Sequence, residues 1–122
     1  MNRAKAKGYR TVSKGRKYFE ERGYRFANLE KTGKFVTEKD LFNLWDCLAV
    51  KGKTHIFIQF KSNLCLGIKK RRKWLLPFIS FAKKHSSKYV RYEVWIWTDR
   101  KGFSILDCNN GKTYVGTDFY PR

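Results

Sequence analysis

Asp46, Gln59 and Lys61 place a carboxylate, an amide and an ammonium within two short stretches of chain, thirteen and then two residues apart. Asp46 sits amid Leu44, Trp45, Leu48 and Val50. A carboxylate there is an odd choice for packing alone, because an unpaired charge removed from water is expensive. A nearby cation, either Lys61 or a metal ion, would offset that cost. One reading is therefore a half-exposed edge aspartate paired with Lys61, and the other is a cation site that meets an anionic substrate.

The elements that must position these groups are legible from periodicity. Thr54–Ser62 (THIFIQFKS) is β-branched, aromatic and alternating, so His55, Phe57, Gln59 and Lys61 share one face. Ile56, Ile58 and Phe60 form the other, apolar face. Phe42–Val50 is an apolar run broken by Asn43 and Asp46, and Lys51-Gly52-Lys53 reads as the turn of a hairpin joining the two. Upstream, residues 1–8 read as a basic arm. A helix over Tyr9–Arg22 follows, weakened by Gly15 and ended by Gly23, and then a strand over Tyr24–Leu29. Downstream, Trp74, Leu75, Phe78, Ile79 and Ala82 predict a helix over Lys69–His85 that starts or kinks near Pro77. Strands over Tyr89–Thr98 and Gly102–Asp107 complete an α-β-β-β-α-β-β order, and Asn110-Gly111 reads as a turn into a further stretch, Thr113–Thr117. The expected architecture is a single α/β domain, residues 1–122.

The 122 residues suit one domain with a modest core, and the net charge is +18. The charge is unevenly spread: residues 1–25 carry nine basic and two acidic side chains, and residues 69–101 carry eleven and two. Between them lies a segment with four of the ten carboxylates. A polyanion such as nucleic acid would be drawn to the flanks and meet those carboxylates. Aromatic residues at 17% exclude a wholly disordered basic tail. No apolar run approaches a membrane span, and no apolar segment follows the basic N-terminus as a secretory signal would. Cys47, Cys65 and Cys108 lack zinc-ligand spacing and read as thiols of a reducing, cytoplasmic compartment.

Asp46 followed thirteen residues later by Gln59-Phe60-Lys61 resembles the PD-(D/E)xK nuclease signature, in its Q-x-K form. The wider frame is similar to the archaeal-type Holliday junction resolvases of that superfamily. Lys7-Gly8, then Gly23-Tyr24, then D-C-L-A-V over Asp46–Val50 fall in the order of that family, over roughly residues 7–107. The resemblance implies a restriction-endonuclease-like core, a central mixed β-sheet flanked by helices in α-β-β-β-α-β order. It also implies a homodimer acting on branched DNA.

By the same resemblance Asp46, Gln59 and Lys61 are the catalytic set. Asp46, Gln59 and the backbone carbonyl of Phe60 would ligate Mg²⁺, with Mn²⁺ as a substitute, and Lys61 would orient the nucleophile or meet charge developing on the phosphate. Gln59 stands where the family usually has glutamate, and Val12 falls where the resolvases carry a glutamate on the first helix. Glu20, Glu38 and Asp40 are the candidates to complete the metal site. Arg3, Lys5, Lys7 and Arg10, with Lys69, Lys70, Arg71, Arg72 and Lys73, are the expected phosphate contacts. The alternative is a nucleic-acid-binding protein that keeps this fold without cutting.

Overall fold

The computed structural model describes residues 3–29, 42, 44–63 and 68–115. The order is α1 (Arg3–Glu21), β1 (Arg25–Asn28), β2 (Cys47–Lys51), β3 (Thr54–Ser62), α2 (Ile68–Lys84), β4 (Val90–Thr98), β5 (Gly102–Asp107) and β6 (Thr113–Val115). The six strands form one sheet in sequence order. Neighbours are antiparallel except β3 and β4, which run parallel, with His55 opposite Val90 and Ser62 opposite Trp97. The α2 crossover is what a parallel pair requires.

Helix α1 begins at Arg3, so the expected basic arm is helical from that residue on. Ala, Lys and Arg are strong helix formers, and their propensity carries the helix past the point where the apolar pattern starts. Its buried positions Thr11, Gly15, Tyr18 and Phe19 fall on one stripe. The helix ends in a Schellman motif, with Gly23 at φ +86°. Tyr24 N–H donates to Phe19 O at 3.0 Å and Gly23 N–H to Glu20 O at 3.1 Å. The Phe19 and Tyr24 rings meet 5.3 Å apart, the apolar contact that usually accompanies this cap.

The β2–β3 hairpin turns on Gly52-Lys53 between the paired residues Lys51 and Thr54. Gly52 has φ +59°, the positive value a two-residue turn needs to match the strand twist. The first hairpin strand is shorter than the apolar run 42–50 predicts, because that run has no period of two to hold it extended. Helix α2 follows the expected span to within a residue at each end, Ile68–Lys84, and passes through Pro77 rather than starting there. Pro77 is exposed, so the carbonyl it leaves without a helical donor can face water. Phe78 and Ala82, with the half-buried Trp74, Leu75 and Ile79, pin both halves to the sheet.

Two aromatic-rich layers enclose the sheet. On one face α1 covers Ile56, Ile58, Phe60, Trp95 and Phe103 with Tyr18 and Phe19. On the other, α2 covers Trp45, Tyr92, Val94 and Ile96 with Phe78 and Ala82. The alternation expected for β3 holds along its length, with Ile56, Ile58 and Phe60 buried and Lys61 exposed. Cys47 and Cys108 are buried in the core, while Cys65 lies outside the described residues.

Candidate metal and nucleic-acid site

β2 loses its regular path at Asp46. Residues two apart on a strand share a face, yet Trp45 packs in the α2 layer and Cys47 in the α1 layer. Cys47 is still in register with Ile58, but Asp46 N–H also donates to Ile58 O, at 3.1 Å, one residue out of step. A local bulge of this kind re-aims a side chain. Here it brings the Asp46 carboxylate toward the ladder edge of β3, where Oδ2 accepts from Phe60 N–H at 3.4 Å.

The Phe60 peptide is therefore met by side chains where a strand would otherwise continue. Gln59 Nε2 donates to Phe60 O at 3.4 Å, and Gln59 Oε1 is buried with no hydrogen-bond partner among the described residues. A buried amide oxygen left unsatisfied costs about 1–3 kcal/mol. Rotating the amide by half a turn would direct this oxygen toward the Phe60 carbonyl. Asp46, Gln59 and Phe60 O are thus brought together, three oxygen donors carrying one formal charge. Lys61 is exposed and shares the Gln59 face.

The candidates to complete this set divide. Glu20 is exposed near the C-terminal end of α1, roughly 13 Å of helix beyond Thr11. That end adjoins the hairpin turn, where Lys51 Nζ donates to Arg22 O at 2.9 Å. It is the end of the sheet away from Asp46, so Glu20 is not brought to the oxygen cluster. Glu38 and Asp40 lie outside the described residues. Val12 is half-buried against the α1-side core, so no carboxylate comes from that position. Among the described residues no three His, Cys, Asp or Glu side chains converge as a metal-binding group.

The expected basic residues lie on the first turns of the two helices. Lys69, Lys70, Arg71, Arg72 and Lys73 are exposed in the first turns of α2, which has no acidic residue there. Cations at the positive end of a helix dipole are unfavourable by about 0.3–1 kcal/mol each, a cost that an anion offsets. Arg10 is exposed on α1, and Arg3, Lys5 and Lys7 fall on its first turns.

Two further features carry no motif in the sequence. A cavity of about 240 Å³ lies between α1 and the C-terminal ends of β3 and β4, lined by Arg10, Lys14, Ser62, Asn63, Trp97 and Asp99. Thr11 joins its lining and shares a short hydrogen bond with Ser62. Nearer the start of β4, Glu93 and Asp107 face each other across the β4–β5 ladder at 0% and 6% exposure. Arg91 bridges them at 3.4 and 3.8 Å, and Trp95 Nε1 donates to Glu93 at 2.9 Å. Burial raises the Tyr24 phenol nearby, with Arg91 pulling it down and Glu93 pushing it up. Only the register of β4 on β5 reveals this cluster.

A mixed sheet with a helix on each face is the architecture of the restriction-endonuclease-like α/β fold. No protein-family model and no curated protein matches the sequence. Among solved structures the chain is similar to Archaeoglobus fulgidus Hjc, a Holliday junction resolvase from an archaeal hyperthermophile. The TM-score is 0.53 at 14% identity, over 82% of this chain and 76% of that one. At that identity the likeness establishes the fold. No helix among the described residues is long and apolar enough to cross a membrane.

Proposed function

We propose that the chain is a divalent-metal-dependent endonuclease that hydrolyses DNA phosphodiester bonds, with branched DNA such as a Holliday junction as its preferred substrate. The observation that carries the reading is the meeting of the Asp46 carboxylate and the Gln59 amide at the Phe60 peptide. The orphaned Gln59 oxygen fits a role as a ligand, because a cation would satisfy it. Asp46, Gln59 Oε1 and Phe60 O would hold Mg²⁺ or Mn²⁺, which supplies phosphate polarisation and a more acidic water. Lys61 stands on the Gln59 face, exposed, where its ammonium can meet a phosphate oxygen or orient the attacking water. The cations of α2 and Arg10 hold the strand by its phosphates. Symmetric cutting of a junction needs two such sites, so the active unit is a homodimer.

The test is cleavage of a four-way junction and of linear duplex in Mg²⁺ and in Mn²⁺. Asp46→Ala should abolish cutting while leaving DNA affinity within a few-fold of the parent. Cutting retained by that variant would refute the site. A second reading, binding without cleavage, is favoured because Asp46 is the one carboxylate in the oxygen cluster among the described residues. It predicts tight, salt-sensitive binding and intact DNA under every divalent ion.

A further inference from the structure

The cavity beside the oxygen cluster has a composition of its own. Its volume, about 240 Å³, lies below the ~300–1,000 Å³ of clefts that hold drug-sized ligands. Its aromatic wall is fixed in place. Trp97 Nε1 donates to Asp99 Oδ1 at 3.1 Å, and Phe103 meets the indole edge-on at 5.1 Å. Asn63 and Asp99 clasp each other, Asn63 Nδ2 donating to Asp99 Oδ2 at 3.2 Å and Asp99 N–H to Asn63 Oδ1 at 3.0 Å. Both carboxylate oxygens of Asp99 are thereby committed within the wall. The other charged side chains of the lining are the cations Arg10 and Lys14, and Lys14 Nζ lies 4.7 Å from the centroid of the Trp97 ring.

We propose that this cavity is a nucleotide subsite, taking one unpaired nucleotide of a DNA strand with its base against Trp97 and its phosphate on Arg10 and Lys14. The inference rests on the reading of the protein as DNA-directed and adds what it selects. A base presents the same flat face to the indole whatever its identity, so the contact is tolerant of sequence. Lys14 is exposed, and on entry of a base its ammonium can leave the ring for the flanking phosphate. Ser62 lies two residues beyond Phe60 on the same strand, roughly 6.6 Å along it. The cavity thus lies at the same end of β3 as the oxygen cluster, on the α1 face of the sheet. A fully paired duplex keeps its bases stacked and cannot fill the cavity, whereas branch points and forks release bases that can.

The experiment compares a fluorescent fork bearing unpaired thymidines with a blunt duplex of equal length, by anisotropy in EDTA. Trp97→Ala should weaken fork binding about tenfold and change duplex binding less than twofold, and Trp97→Phe should restore most of the loss. Equal loss on both DNAs, or none on either, overturns the proposal. Wild-type protein provides an arm independent of mutant folding. Irradiation of a fork carrying 5-iodouracil at the unpaired position should crosslink to Trp97, and a crosslink at Trp74 or Tyr89 alone would overturn it. Because no metal is present, a protein that captures forks through Trp97 yet never cuts DNA refutes the nuclease reading and leaves the subsite standing.

Discussion

Replacing Gly15 by alanine sets two effects of similar size against each other. Glycine inside a helix costs roughly 1 kcal/mol relative to alanine, so the substitution should stabilise α1 by that amount if nothing else changed. The helix, however, lies directly on β3. A Cβ on Gly15 would sit 2.3 Å from Phe60 Cζ and 2.4 Å from Cε1, where carbon atoms prefer about 3.5–4.0 Å. Relief needs more than about 1 Å of movement by an aromatic ring packed against Phe26, Trp95 and Phe103. Overpacking of this kind costs about 1–3 kcal/mol, and the depth of the clash places it at the upper end. The net expectation is a loss of about 1–2 kcal/mol, or about 4–8 °C in Tm for a domain of this size. Thermal and urea denaturation measure it. Phe60→Leu in the same chain should remove most of the added cost, a coupling above about 0.5 kcal/mol in the double-mutant cycle. A Gly15→Ala protein as stable as the parent would refute the close approach of α1 to β3. Because the Phe60 peptide holds the oxygen cluster, the same variant should also lose cleavage activity.

Arg91→Ala should destabilise the protein by about 3 kcal/mol at pH 7, since it removes the cation that bridges the buried carboxylates Glu93 and Asp107; adding Glu93→Gln should recover part of this in urea titrations. Alkaline pH should act through Cys108, whose thiol burial pushes up from about 9 to about 12, helped by Asp107 and Glu93. Between those values the folded chain keeps a proton that the unfolded chain releases, so stability falls as pH rises across that window and is unaffected by this group below it. Burial raises Tyr92 in the same direction, and Cys108→Ala should flatten the slope measured by urea unfolding at pH 9 to 11. Changing Lys70 and Arg72 to Gln should lower the slope of log binding constant against log salt by up to about 1 per residue if each meets a phosphate. An unchanged slope would remove the start of α2 from the DNA contact. Gln59→Glu adds a second carboxylate at the oxygen cluster and should increase the thermal stabilisation given by Mn²⁺, read as a larger Tm shift at fixed metal concentration.

The strands that alternate were legible to the residue: Thr54–Ser62 and Gly102–Asp107 are found where period two places them. Periodicity failed where a stronger local term or a tertiary one took over. Arg3–Gly8 has no apolar stripe, but its Ala and Lys content makes it helical. Pro77 reads as a start or a kink, and the apolar contacts on both sides of it keep α2 continuous. Asp46 was identifiable as an anomaly in an apolar run, and Gln59 and Phe60 were singled out only by the resemblance to the nuclease signature. The bulge that turns it toward Phe60 has no local signature, because it depends on Trp45 and Cys47 choosing opposite layers. The Trp97 cavity and the Glu93–Asp107 pair are brought together by cross-strand register and helix docking, neither of which a linear pattern records. Whether Glu38 or Asp40 joins Asp46 lies outside the described residues.

The single parallel pairing among the described strands divides the sheet into two ribbons. β1–β2–β3 and β4–β5–β6 are each joined by antiparallel neighbours, while the boundary between them closes only after the long excursion through α2. Asp46, Gln59 and Phe60 belong entirely to the first ribbon. The Trp97 cavity spans the boundary, with Ser62 and Asn63 on one side and Trp97 and Asp99 on the other. Long-range pairings are the slow ones to form, so both the Trp97 cavity and the Trp45 packing that sets the Asp46 bulge are complete only once β4 has closed on β3. The Asn63–Asp99 clasp is the fastener across that boundary.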